Sequence, residues 1–114
     1  MCGIAGFKTS LDFIRLRESL PGAVSRLRHR GPNDSGLFFD EKHGLGLGHR
    51  RLSVIDLSVA GRQPMVSDDN QIRIVYNGEV YNFKEIRKTL KGLGYLFRTD
   101  TDTEVVLNAY RQWG

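Results

Sequence analysis

The stretch GLGLGHRRL, residues 44–52, limits the possible folds more than any other part of the chain. Gly44, Gly46 and Gly48 alternate with Leu45, Leu47 and His49. Successive residues of a strand face opposite sides, so one face of this strand carries no side chain. Whatever packs there can approach to backbone distance. The glycines do not form a nucleotide loop. The third comes one residue early for G-x-G-x-x-G, no helix signal follows, and no G-x-x-x-x-G-K-S/T occurs.

The remaining elements read as an α+β chain with strands at 3–7, 36–40, 44–51, 72–76 and 95–99. Pro21 suits a first helical turn, with Ala23, Val24 and Leu27 on one face. Residues 10–20 are ambiguous, and Gly31 and Pro32 close that helix. Asp68, Asp69 and Asn70 mark a turn. Asn82 with Glu85, and Thr101 with Glu104, have capping-box spacing. The first pair opens a helix with a Phe83, Ile86, Leu90, Leu93 stripe that ends at Gly92 or Gly94. The second opens a helix whose apolar face is Val105, Val106, Ala109, Tyr110 and Trp113.

With 114 residues this is one domain or part of one. The 39% apolar content contains no run near the ~18 residues of a membrane span. Neither a basic nor an apolar leader opens the chain, so a cytoplasmic setting is expected. The single cysteine cannot form an internal disulfide. The net charge of +4 permits an acidic partner. Its arginines, in RLRHR and HRR, are not interleaved with aromatics, which argues against a nucleic-acid binder.

That cysteine is Cys2, behind a removable methionine. Once Met1 is gone, one residue carries a thiol and an α-amine whose reference pKa is about 7.7–8. The amine then serves as base to its own nucleophile, and no histidine is needed. The alternative is an incidental thiol. Two further readings are open for YNGE: a plain Asn-Gly turn, or a pair of oxyanion donors, the Asn77 side-chain amide and the Gly78 N–H. Arg51 is either a surface arginine or a two-pronged carboxylate partner. Asp102 either caps a helix or holds an ammonium.

MCGIAGF, RHRGPNDSG, GHRRLSVIDLSVAGRQPM, YNGEVYNF and TDTDTEVVLNAY, in this order, resemble the start of the asparagine synthetases. More broadly they resemble class II glutamine amidotransferases of the N-terminal nucleophile type. The resemblance covers essentially the whole chain. It implies a four-layer αββα sandwich with antiparallel sheets, and hydrolysis of L-glutamine to glutamate and ammonia. It makes Cys2 the nucleophile with its α-amine as base, and Asn77 and Gly78 the oxyanion hole. It assigns the substrate carboxylate to Arg51, with Leu52, Ser53, Val54 and Ile55 along the bound glutamine. It assigns the ammonium to Glu79 and Asp102, and a buttressing loop to Arg30 and Gly31. Asn33 departs from the aspartate that many relatives carry there.

No metal site is expected in residues 1–114, which the resemblance makes a glutaminase domain incomplete at its C-terminal end. ATP and Mg are implied only for a synthetase domain beyond it, with aspartate as ammonia acceptor. No membrane or nucleic-acid partner is expected, and a homodimer is left open. The rivals are a class II amidotransferase with another acceptor and a truncated, non-catalytic interaction module.

Overall fold

The computed structural model describes all 114 residues, Met1–Gly114. Three strands form the main sheet: β1 (Gly3–Lys8), β2 (Asp34–Asp40) and β3 (Leu45–Arg51). All pairs are antiparallel and β3 is central, so the glycine-alternating strand has a partner on both edges. Phe7 and Phe39 both lie opposite Gly46, and Ala5 and Leu37 both lie opposite Gly48.

Helix α1 (Phe13–Arg26) covers the bare face. A Cβ on Gly48 would lie 2.3 Å from Val24 Cγ2 of α1, and one on Gly46 would lie 2.3 Å from the Phe7 ring. The missing side chains are thus the space that the helix and the phenylalanine fill. Phe7, Phe13 and Phe39 form a cluster with ring centroids 5.8–6.4 Å apart, mostly edge to face. Arg17 lies 4.7 Å above Phe39.

A two-stranded ribbon, β4 (Met65–Val66) with β5 (Arg73–Ile74), follows a 3-10 turn at Val59–Gly61. Asn70, with φ 59°, turns the ribbon over, as the Asp-Asp-Asn signal anticipates. Helices α2 (Phe83–Gly92) and α3 (Asp102–Trp113) then pack on each other, with Leu90 of the first and Val105 and Leu107 of the second nearly inaccessible. Gly94, at φ 96°, closes α2. Its N–H bonds Lys91 O and the Tyr95 N–H bonds Leu90 O, the Schellman pattern. The result is a small mixed α/β domain with antiparallel sheets. No helix is long and apolar enough to cross a membrane.

Four local expectations are corrected. Pro21 does not open α1 but sits inside it. The helix begins at Phe13, eight residues before Pro21, and just ahead of it the Thr9 hydroxyl accepts the Leu11 and Asp12 N–H groups. Pro21 and Ala23 face solvent, while Leu20 and Val24 are buried. Asn82 precedes α2 but makes no side-chain cap bond. The strand expected at 72–76 shrinks to Arg73–Ile74, because side chains take both backbone groups of Tyr76. Residues 95–99 form no strand: the N–H groups of Arg98 and Thr99 go to the Glu104 carboxylate instead.

Candidate active site

The chain start, the strap after β3, the segment after β5 and the start of α3 surround one cavity of about 450 Å³. Cys2, Arg51, Asn77, Gly78, Glu79 and Asp102 all line it. Leu52, Val54 and Ile55 also line it, but Ser53 does not. The Ser53 N–H donates to Asn33 Oδ1 at 3.0 Å, on the side of the 30–33 loop.

Cys2 is half-buried and precedes the first paired residue of β1. The Leu52 N–H points at its sulfur, 3.3 Å away. Behind the site, Arg30 Nε donates to the Cys2 carbonyl at 3.2 Å, and Arg50 Nε donates to the Gly31 carbonyl at 2.7 Å. Gly31 is buried, and a Cβ there would come within 2.4 Å of the Arg50 carbonyl carbon. The HRGP loop therefore braces the chain start from outside the cavity.

Arg51 is 6% exposed. Its Nη1 donates to Ser58 O at 2.6 Å and its Nη2 donates to Asp56 O. These two bonds curl residues 52–58 into a strap around the guanidinium and leave other N–H groups of the fork unused. Gly61 lies against the guanidinium, where a Cβ would sit 2.2 Å from Nη2. The Asp56 carboxylate ties the strap to the α3 approach by accepting the Asp100 N–H at 3.0 Å. Hydrogen bonds from Ser58 and from that N–H hold its carboxyl down at about 2.

Two further carboxylates line the cavity. Asp102, buried at the start of α3, accepts the Val80 N–H at 3.0 Å, and Glu79 is exposed beside it. Burial raises the Tyr76 phenol above its ordinary range, and Asp102 and Glu79 push it further. The lining therefore offers a guanidinium and two carboxylates, charges complementary to the carboxylate and ammonium of an α-amino acid head. YNGE forms no hairpin; α2 follows it. A Cβ on Gly78 would come 2.7 Å from the Tyr76 hydroxyl, so glycine keeps this approach open.

Sequence reasoning passed over Asp56, Gly61, Gln63 and Tyr76, which also line the cavity. Gln63 and Gly61 belong to the quoted motif ending in GRQPM, so the signal was present without a role. No group of three or more His, Cys, Asp or Glu side chains is arranged to hold a metal.

Asparagine synthetase (glutamine-hydrolysing) 1 of Bacillus subtilis is 42% identical over 99% of this chain, and its namesake from Arabidopsis thaliana is 42% identical over all of it. Amidase chry2 of Gibberella zeae is 35% identical, again over the whole chain. The chain spans only 18–19% of the length of these relatives. The glutamine amidotransferase domain family matches residues 1–114 from end to end, and the chain belongs to that family.

Proposed function

We propose that this chain hydrolyses L-glutamine to glutamate and ammonia. One observation carries the reading: a cysteine sulfur, an Asn-Gly pair, a buried arginine and two carboxylates line a single cavity. The arginine suits the substrate α-carboxylate and Asp102 with Glu79 suit its ammonium. Leu52, Val54 and Ile55 suit the aliphatic part of the side chain.

In this mechanism, removal of Met1 frees the Cys2 α-amine. The amine takes the thiol proton, and the sulfur attacks the side-chain amide carbon. Asn77 Nδ2 and the Gly78 N–H bind the oxyanion that forms. The protonated amine gives its proton to the departing nitrogen, releasing ammonia and leaving a γ-glutamyl thioester. Water, deprotonated by the same amine, attacks that thioester. The C–S bond breaks, glutamate leaves, and the thiol regains its proton.

We read the three-stranded sheet with α1 as part of a four-layer αββα sandwich. We also read the chain as the ammonia-supplying portion of an asparagine synthetase-like enzyme. Aspartate is then the acceptor in an ATP- and Mg-dependent domain outside these residues, and no step above uses either cofactor. The similarity to an amidase keeps a different acceptor as the second reading. A non-catalytic module is the third. It is favoured only if Met1, which also borders the cavity, stays attached.

The test is ammonia release from glutamine, with the N-terminal mass of the same sample. The proposal expects a chain beginning at Cys2, activity in that form, and no activity in Cys2→Ala. A Cys2→Ala protein that still releases ammonia would overturn it.

A further inference from the structure

We propose that His49 and Gln63 are positioning residues that grip the Tyr76 backbone from two sides and thereby aim Asn77 and Gly78 into the cavity. This rests on the reading of Asn77 and Gly78 as oxyanion donors.

The need for such a grip follows from the fold. β5 ends at Ile74, and none of the loop hydrogen bonds joins the backbone of residues 75–79 to other backbone. The segment that carries the two donors is thus outside any ladder. Side chains hold it instead. Gln63, 5% exposed, accepts the Tyr76 N–H at 2.6 Å through Oε1. His49, with no exposed surface, stands 3.2 Å from the Tyr76 carbonyl through Nε2. Because a carbonyl can only accept, Nε2 carries the proton.

The Tyr76 carbonyl and the Asn77 N–H share one planar peptide unit. Fixing that carbonyl fixes the plane from which Asn77 departs, so that only Asn77's own dihedrals are left to set its side chain and the next N–H. Gln63 fixes the preceding unit. Its other end, Nε2, donates to Thr103 Oγ1 at 3.2 Å, beside Asp102. One amide therefore spaces the donor segment from the carboxylate wall, and both its ends are occupied by protein. His49 Nδ1 is buried with no partner, so Nε2 makes the ring's one polar contact. Burial also pushes the His49 imidazole below its ordinary range, which keeps it neutral and a single donor at Nε2.

A positioning role predicts a specific kinetic split. Oxyanion donors act mainly in the transition state, so misaiming them lowers kcat and spares KM. The experiment is steady-state ammonia release by the whole native polypeptide with Met1 removed, in Gln63→Met, His49→Phe, His49→Gln and Asn77→Ala. Gln63→Met and His49→Phe are expected to lower kcat about ten- to a hundredfold with KM within about threefold. His49→Gln, whose amide N–H reaches where Nε2 stood, is expected to recover most of the loss.

If His49→Phe fails to fold, His49→Asn replaces it, because its shorter amide cannot reach Tyr76. Asn and Gln variants of equal kcat would then overturn the proposal. Wild-type kcat in Gln63→Met and His49→Phe, beside a crippled Asn77→Ala, would overturn the clamp and leave the oxyanion reading intact. A fully active Asn77→Ala would overturn the oxyanion reading itself.

Discussion

Removing one oxygen from Glu104 is expected to destabilise the protein by about 2 kcal/mol and to loosen the wall that carries Asp102. The Glu104 side chain is 3% exposed, yet no cation pairs with it. Its Oε1 accepts the Arg98 N–H at 2.8 Å, and its Oε2 accepts the Thr99 N–H and hydroxyl, each at 2.7 Å. Hydrogen bonds to a charged group contribute about 1.5–3 kcal/mol each, against about 1 for neutral ones. In Glu104→Gln the amide oxygen can serve Thr99, but the amide nitrogen then faces the Arg98 N–H, donor against donor. One charged bond is lost and two are weakened. Relief of the buried charge offsets part of that loss, which leaves about 2 kcal/mol. Glu104→Ala forfeits all three bonds and should cost about 4 kcal/mol.

Urea unfolding reads this directly. With a slope of about 2 kcal/mol per molar, the midpoint of Glu104→Gln should fall by about 1 M and that of Glu104→Ala by about 2 M. The same variants should raise KM for glutamine, since the loop before Asp102 loses its anchor. A Glu104→Gln midpoint equal to that of the wild type would refute the idea that this carboxylate organises residues 98–102.

Gly36→Ala tests the contact between the sheet and the Gln63 segment. Its Cβ would lie 1.9 Å from the Gln63 carbonyl oxygen, so both backbones must shift. A loss of about 1–3 kcal/mol in urea unfolding is expected, with a lower kcat as Gln63 moves. Acid should unfold the protein in two windows. Asp56 is held at about 2 against an ordinary 3.8, so its contribution is complete above 3.8 and is lost as pH falls towards 2. His49 lies below its ordinary 6.5. The unfolded chain therefore takes up a proton that the folded one refuses, and stability declines as pH falls below 6.5. Midpoints measured against pH should flatten in the upper window for His49→Gln and lose part of their slope in the lower one for Asp56→Asn, where Asp34, Asp40 and Asp69, also held below their ordinary range, keep the rest.

The sheet was legible because its signal is local. Gly46 and Gly48 repeat at the strand period, and the absence of side chains demands a close neighbour whatever that neighbour is. Thr101 was legible for the same reason: its hydroxyl does accept the Glu104 N–H at 3.3 Å. The carboxylate half of that box was not, because Glu104 serves Arg98 and Thr99, which precede the cap. Tyr76 was misread as strand because its partners stand 13 and 27 residues away. No periodicity reports a side chain that replaces a ladder. The candidate site was legible as a set of residue types, since Cys2, Arg51, the Asn-Gly pair and Asp102 each carry recognisable chemistry. What holds them was not. Asp56 and Gln63 grip the backbone of Asp100 and Tyr76, far along the chain, and Gly61 leaves room for the Arg51 guanidinium, none of which the order of residues reveals.

The most direct measurement is the intact mass of the protein quenched in acid during glutamine turnover. The account predicts a chain that begins at Cys2 and carries one γ-glutamyl group on its N-terminal peptide. Ammonia released by a chain that keeps Met1, or turnover with that peptide never modified, would contradict it.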